Sequence, residues 1–156
     1  MIVVADTTPI NYLILIDQIH LLHTLFDRTF IPTSVHGELL RPAAPSPVRT
    51  WASTPPAWLE IRSPSVTQLV TAKLDEGERD AIALALELHA PRIIIDESKG
   101  RKAAKSHGLS INGTLGILEQ ADLLGLVDLP TAISRLRSTS FYIDPARLDA
   151  LLKQRQ

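Results

Sequence analysis

Short apolar runs alternate along this chain with longer stretches in which apolar residues recur every three or four positions. The first pattern is typical of buried strands and the second of helices with one buried face. The short runs predict five strands, at residues 2–5, 29–31, 59–61, 92–96 and 109–111. The longer stretches predict helices at residues 9–16, 20–26, 33–40, 65–74, 78–88, 98–107, 114–124, 130–137 and 144–152. Strands that alternate with helices favour an α/β fold, a three-layer α/β/α sandwich around a mainly parallel central sheet.

The segments between these elements carry predictions of their own. Five prolines within residues 42–58 predict a stiff, loop-rich insert, consistent with a surface flap. Residues 138–143 fit a strand or a loop, and Thr33 or Ser34 can cap the third helix. A length of 156 residues fits one domain, with a core at residues 1–127 and a helical extension at residues 130–156 packed on it.

Composition and charge exclude several classes of function. The chain has no cysteine, which rules out a disulfide framework, a thiolate nucleophile and a cysteine-based zinc site. No stretch is apolar enough to indicate export or a membrane span, so we expect a soluble, cytoplasmic protein. The formal net charge of −1 offers no general attraction to nucleic acid. A polyanion would therefore need a local basic patch or bound metal ions.

Two acids follow predicted strands at the point where each strand ends. Asp6 comes directly after residues 2–5, and Asp96 ends the strand at residues 92–96. Because the carboxyl ends of parallel strands meet at one edge of a sheet, we expect these side chains to lie close together. At about 4 Å and an effective dielectric near 20, two carboxylates repel by about 4 kcal/mol, which a divalent cation would remove. The pair predicts a cation-binding pocket, although an Asp in either place can instead cap the helix that follows.

Further acids lie on predicted helices. Glu38 borders the apolar stripe of the third helix. Glu78 shares a stripe with apolar residues one and two turns further on, whereas Asp80 is expected to face solvent. An acid that points inward needs a partner, either a metal ion or a nearby cation such as Arg79 or Lys73.

Hydroxyl and basic side chains stand beside these acids. The hydroxyls of Thr7, Thr8 and Thr114 can contact a hydrated metal ion or a phosphate, or they can cap helices. Four cations form a basic face on the helix after Asp96, which either contacts phosphate groups beside the acidic pocket or is an ordinary solvated surface. They are Lys99, Arg101, Lys102 and Lys105.

In their order and spacing, these residues resemble a PIN domain. The resemblance spans about residues 1–127 and is closest to small prokaryotic PIN-like proteins, relatives of the toxins of VapBC-type toxin–antitoxin pairs. Those proteins have a Gly-Glu-x-x-Ala-Ile helix start and a Gly-Thr-Leu-Gly turn. The matching residues are Asp6-Thr7-Thr8-Pro9, Glu38, Gly77-Glu78-Arg79-Asp80-Ala81-Ile82, Ile95-Asp96-Glu97 and Gly113-Thr114-Leu115-Gly116.

The resemblance implies a metal-dependent endoribonuclease that cuts RNA with water activated by Mg²⁺ or Mn²⁺. Its other implied partners are an antitoxin chain and, because PIN domains often pair, a second copy of this chain. The commoner Asp-Ala pattern of other PIN domains would choose Asp80 as the third acid. Glu97 is an additional or substitute ligand. Thr7 or Thr8 matches the small hydroxyl residue that follows the first acid in the family. The facing of the helix favours Glu78 as the third acid. The implied catalytic and metal-binding acids are Asp6, Glu38, Glu78 and Asp96.

Two other interpretations of the acids remain open. One is a PIN-like module that binds nucleic acid or protein without turnover, with its acids serving a structural ion or a partner. The other is a phosphate-signalling receiver, which also clusters acids at the edge of a parallel sheet. The receiver fits less well, because receivers usually have adjacent acids after the first strand, where Thr7 and Thr8 stand in this chain.

Overall fold

The computed structural model of this chain describes residues 1–154. The strands within these residues are β1 (Ile2–Ala5), β2 (Arg28–Ile31), β3 (Leu59–Ile61), β4 (Arg92–Ile94) and β5 (Ser110–Asn112). They form a sheet in the order β3-β2-β1-β4-β5, and every neighbouring pair is parallel. The predicted parallel sheet is confirmed, with strand ends that differ from the predicted ones by at most two residues.

Helices cover both faces of this sheet, which confirms the three-layer α/β/α architecture. Side chains of β1 alternate between the two faces. Val3 and Ala5 pack in one core cluster with α1, α4 and α7, whereas Val4 packs in the other with α5 and α6. Residues 1–154 contain α1 (Thr7–Leu15), α2 (Leu21–Leu25), α3 (Thr33–Leu39), α4 (Ser46–Ser53), α5 (Glu76–Glu87), α6 (Ser98–Ser106), α7 (Thr114–Leu123), α8 (Leu129–Arg137) and α9 (Pro145–Gln154).

The two C-terminal helices pack on the first of these core clusters. Leu129, Ile133 and Leu136 of α8 and Leu151 of α9 are buried in it. Residues 139–144 between the two helices form no strand. None of the helices in residues 1–154 has the length and apolar character needed to cross a membrane.

The predicted helix at residues 65–74 is wrong. These residues form turns and irregular backbone. Val66 and Leu69, which would have marked its buried face, are 51% and 68% exposed, and only Val70 is buried. A short helix draws most of its stability from packing an apolar face, and here Val66 and Leu69 of that face are exposed, whereas Val70 and Leu74 contact the core.

The proline-rich insert is also different from its prediction as a surface flap. It contains α4, whose Val48 and Ala52 are fully buried in the core. The prediction that Thr33 or Ser34 caps α3 is wrong as well, because Pro32 occupies the cap position and makes no capping hydrogen bond. The hydroxyl of Ser34 is used elsewhere, as described below.

The order of the strands fixes where a ligand can bind. The chain moves outward from β1 to β2 and β3 on one side, and β4 and β5 lie on the other side. The strand order therefore reverses between β1 and β4. Open parallel sheets bind ligands in the crevice at the carboxyl ends of the two strands that flank such a reversal.

Candidate active site

Two of the predicted site residues lie at this reversal of strand order. Asp6 directly follows β1, and its backbone N–H donates a 2.9 Å hydrogen bond to the carbonyl of Ile94 at the end of β4. Asp96 lies two residues after β4. The two carboxylates are close enough to interact electrostatically, as predicted from their positions after adjacent strands.

Asp6 is buried and carries an unusual protonation equilibrium. It occupies the cap position of α1, yet its side chain makes no capping hydrogen bond, so the capping alternative is wrong for Asp6. Burial raises the pKa of Asp6 from 3.8 to about 7, with further contributions from the negative charges of Asp75, Glu38 and Asp96 and a partial offset from the backbone N–H of Thr7. A buried carboxylate in an acidic environment is therefore the centre of this site.

Glu38 reaches the same place from α3. Its Oε2 accepts a 2.8 Å hydrogen bond from the hydroxyl of Thr7, which fixes the orientation of the carboxylate. A Cβ atom on Gly77 would lie 2.8 Å from Oε1 of Glu38 and 3.4 Å from Oδ1 of Asp6. The two carboxylates thus share Gly77 as a neighbour, and the absence of a side chain there leaves room for both.

Glu78 is the third predicted acid in this pocket. It is 6% exposed, and its Oε2 atom has no hydrogen-bond partner among the described residues. Burial raises the pKa of Glu78 above its ordinary value, and the nearby carboxylates of Asp75 and Asp6 raise it further. Gly100 of α6 makes room for this side chain, because a Cβ atom there would lie 2.6 Å from Oε2 of Glu78.

Asp80 does not face solvent, contrary to the prediction from helical facing. It is 7% exposed, because α5 is packed between the sheet, α3 and α6 and has little free surface near its first turns. Its two oxygens have partners: Oδ2 accepts a 2.7 Å hydrogen bond from Ser34, and Oδ1 accepts two from Arg79. Asp80 therefore links α5 to α3. Asp80 and Glu78 are equally buried, and they differ in that both oxygens of Asp80 accept hydrogen bonds whereas Oε2 of Glu78 accepts none from the described residues.

Asp75 is a further acid of this site that the sequence analysis did not select. It caps α5, which begins at Glu76 rather than at the predicted Glu78, and its Oδ1 accepts a 2.8 Å hydrogen bond from the backbone N–H of Glu78. Its charge also acts on Asp6. The signal was present, because Asp75 and Glu78 have the spacing of a capping box.

Asp96 is held by the start of α7. Its Oδ1 accepts a 2.8 Å hydrogen bond from the backbone N–H of Thr114, and its Oδ2 accepts a 2.7 Å bond from the Thr114 hydroxyl. Burial raises the pKa of Asp96 above its ordinary value, against the opposing effects of Thr114 and of the Arg101 guanidinium. Thr114 thus positions Asp96, and Gly113 leaves space for the carboxylate, since a Cβ atom there would lie 2.6 Å from Oδ1.

The basic face of α6 divides between two surfaces. Arg101 turns toward the acids and donates a 3.0 Å hydrogen bond to the carbonyl of Ile95. Lys99 and Lys102 line a separate groove together with Lys73. Lys105 is exposed in the last turn of the helix.

Two other candidates stand at the rim. Glu97 is exposed at the start of α6 and makes no capping hydrogen bond. Thr8 is half-buried and borders a cleft beside Asp96. The acids that lie together are Asp6 and Glu78, which are buried, Glu38 and Asp96, which are half-buried, and Asp75, which is exposed.

Comparison with protein families identifies the fold. The sequence model of the family DUF3368, described as a PIN domain, matches residues 2–156. The chain belongs to this PIN domain family. Among curated proteins and among solved structures, none matches the chain. The family match runs through the C-terminal helices of this PIN domain, beyond the residues that carry the resemblance in the sequence analysis.

PIN domains are generally nucleases and typically use divalent metal ions. The acids of this PIN domain fit such an ion by their chemistry, because hard carboxylate oxygens are the ligands that Mg²⁺ and Mn²⁺ prefer. The unpaired Oε2 of Glu78 and the mutual repulsion that raises the pKa values of Asp6 and Glu78 are also consistent with a site for a cation. Within the described part of the chain, no three histidine or acidic side chains already stand as a set that could hold a metal ion. The acids therefore match a divalent cation in the type of donor atom and in charge, but their oxygens are not already arranged as a set of ligands around one point.

Proposed function

We propose that this PIN domain is a metal-dependent endoribonuclease that hydrolyses RNA phosphodiester bonds. The observation that carries the proposal is the group of carboxylates at the reversal of strand order, of which Asp6 and Glu78 are buried and three have raised pKa values. Buried acids that are held close together destabilise a fold unless they serve a ligand. A divalent cation bridging to an RNA phosphate is the ligand that suits carboxylates in a nuclease fold.

Each side chain of the site would have a role that follows from its position. Asp6, Glu38, Glu78 and Asp96 would hold Mg²⁺ or Mn²⁺, with Thr7 and Thr114 fixing two of the carboxylates by hydrogen bonds. A bound ion of this kind neutralises charge on the phosphate and activates water for attack. The guanidinium of Arg101 is positively charged and would attract the flanking phosphate, whereas the carboxylates of the site would repel it.

The test is an RNA cleavage assay with Mn²⁺ on the wild type and on Asp6→Asn and Asp96→Asn. We expect cleavage by the wild type, loss of cleavage in chelator, and loss in both variants. Asp149→Asn is the matched control, because Asp149 is an exposed acid on α9. All proteins are purified identically and checked for cooperative unfolding. Full activity in a folded Asp6→Asn protein would show that the assignment is wrong.

We also propose that the enzyme acts in the cytoplasm as the toxin of a toxin–antitoxin pair, on the basis of the resemblance of its motifs to VapC-type toxins. Expression of the wild type should arrest growth of the host, and expression of Asp6→Asn should not. A neighbouring gene whose product binds the chain and restores growth would be the antitoxin. A second copy of the chain is a further proposed partner, which the molar mass in solution would test.

A PIN-like module that binds nucleic acid or protein without turnover is the second candidate. The observation that favours it is that no three acidic or histidine side chains, among the residues the structure describes, form a ready set for a metal ion. This candidate predicts RNA binding without cleavage across a panel of substrates supplied with Mn²⁺.

A further inference from the structure

A cleft of about 680 Å³ opens beside Asp96 and Arg101. One side is formed by the carboxyl edge of the sheet and the start of α7, and the other by residues 140–144, which connect α8 to α9. Its size is within the range of about 300–1,000 Å³ that is usual for pockets that hold small organic groups. The cleft continues the acid site outward along the surface.

Side-chain contacts hold the outer wall of this cleft in place. The hydroxyl of Tyr12 on α1 shares a 2.8 Å hydrogen bond with the hydroxyl of Ser140. The ring of Phe141 packs edge to face on the ring of Tyr12, with 5.0 Å between the ring centroids. The wall is therefore attached to the helix that begins beside Asp6, although 128 positions in sequence separate Tyr12 from Ser140.

Aromatic side chains are concentrated at this cleft. The chain has two tryptophans, two tyrosines and three phenylalanines, and both tyrosines and Phe141 line the cleft. Tyr142 is 78% exposed, and Phe141 and Tyr12 are only partly buried. An exposed aromatic ring beside a phosphodiesterase site offers an apolar face on which an unpaired base can stack.

Charged groups of both signs border the cleft. Arg101 and Arg147 of α9 both line the cleft, and Arg147 is half exposed and forms a 3.2 Å ion pair with Glu119. Glu97 and Asp144 also line the cleft. These two carboxylates would repel the phosphates of a long RNA strand that ran through the cleft. A single nucleotide whose phosphates contact the two guanidinium groups avoids most of this repulsion.

We propose that this cleft binds one unpaired RNA nucleotide next to the scissile phosphate, with its base stacked on Tyr142 and its phosphates held by Arg101 and Arg147. The proposal rests on the proposed nuclease function, since it assigns a nucleotide-binding cleft next to the same site. A base that is paired in a helix has both faces covered by its neighbours and cannot enter such a cleft.

The test measures the affinity of a short fluorescent single-stranded RNA for the cleavage-deficient Asp6→Asn protein in Mg²⁺. Adding Tyr142→Ala should weaken binding by about 5- to 150-fold, because base stacking on an aromatic ring contributes about 1–3 kcal/mol. Tyr142→Trp should keep the affinity. Arg147→Ala should weaken binding and reduce the slope of log affinity against log salt by about one.

Two controls separate stacking from a structural effect. Leu123→Ala removes a side chain that is 85% exposed at the far end of α7 and should leave the affinity unchanged. The same RNA annealed to its complement should bind Asp6→Asn and its Tyr142→Ala derivative equally. Equal affinity of the two proteins for single-stranded RNA, or an equal loss with the duplex, would overturn the proposal.

The outcome also separates this proposal from the proposed function. Cleavage by the wild type together with unchanged binding in Tyr142→Ala would refute the nucleotide cleft and leave the nuclease standing. Binding that depends on Tyr142 in a protein that cleaves no RNA would do the reverse. No RNA binding by any variant would overturn the proposal, and a protein partner whose affinity depends on Tyr142 would then assign the cleft to protein recognition.

Discussion

Replacing Asp6 with Asn should stabilise the metal-free protein, and the gain should grow with pH. Asp6 is 5% exposed, and its pKa is raised from 3.8 to about 7 mainly by burial. Below about pH 4 the carboxyl is protonated in both the folded and the unfolded chain. Between the two pKa values the unfolded chain has lost this proton and the folded chain still holds it, so stability falls as pH rises. Asn has the same shape and carries no charge at any of these pH values.

The magnitude follows from the two pKa values. Each pH unit between them corresponds to about 1.4 kcal/mol, so complete ionisation of Asp6 costs the folded state about 4 kcal/mol. The difference in the free energy of unfolding between Asp6→Asn and the wild type should therefore rise from near zero at about pH 4 to about 4 kcal/mol at about pH 8. Other titrating groups are common to both proteins and largely cancel in this difference.

Urea unfolding in chelator, followed by tryptophan fluorescence at several pH values, measures this difference. Asp149→Asn is the control, because an exposed carboxylate is solvated in both states and should give no gain that depends on pH. Mn²⁺ should then stabilise the wild type more than Asp6→Asn, since the charge that opposes folding is the one that attracts the ion. A difference between the two proteins that is the same at every pH would refute the argument from burial.

Three further predictions concern neighbours of the acids. Gly100→Ala should destabilise the protein by about 1–3 kcal/mol in urea unfolding, because the new Cβ atom would lie 2.4 Å from a buried isoleucine. Gly37→Ala is the control: a Cβ atom there has no neighbour within 4 Å, and the change should stabilise α3 by up to about 1 kcal/mol. Thr114→Val should weaken Mn²⁺ binding by calorimetry about 10- to 100-fold and Thr114→Ser should retain it; equal affinities would contradict the positioning role. Ser34→Ala should cost about 1.5–3 kcal/mol of stability through its lost bond to Asp80 while RNA cleavage persists, and a loss of cleavage with no loss of stability would place Asp80 among the ligands.

The sheet and the first and last acids could be predicted from the sequence because each depends on a local pattern. The apolar runs before Asp6 and Asp96 specify buried parallel strands, and the edge of such a sheet then brings the two acids together. The facing of α5 could not be predicted in the same way. Facing arguments assume that one side of a helix meets solvent, and α5 is covered on several sides, so Glu78 and Asp80 are both buried.

The other errors have a related cause. The apolar repeat at residues 65–74 is compatible with a helix, but only the tertiary structure shows that Val66 and Leu69 have no surface to cover. The prolines of residues 42–58 predict a loop, but the segment contains α4, whose Val48 is buried in the core. The spacing of Asp75 and Glu78 indicates a helix cap, but it does not indicate that Asp75 acts on Asp6, because that interaction is made across the fold.

The attachment of residues 140–141 to Tyr12 has a consequence for the order in which the protein is completed during synthesis. Every acid of the pocket, and Thr114 beside it, precedes α8 in the chain, so a ribosome has made all of them before it makes the outer wall of the cleft. Translation direction therefore separates the acids that we propose to be hydrolytic from the cleft that we propose selects the substrate. If the cleft selects the RNA as proposed, exchange of residues 138–147 between related chains would change the substrate preference without altering any acid of the pocket.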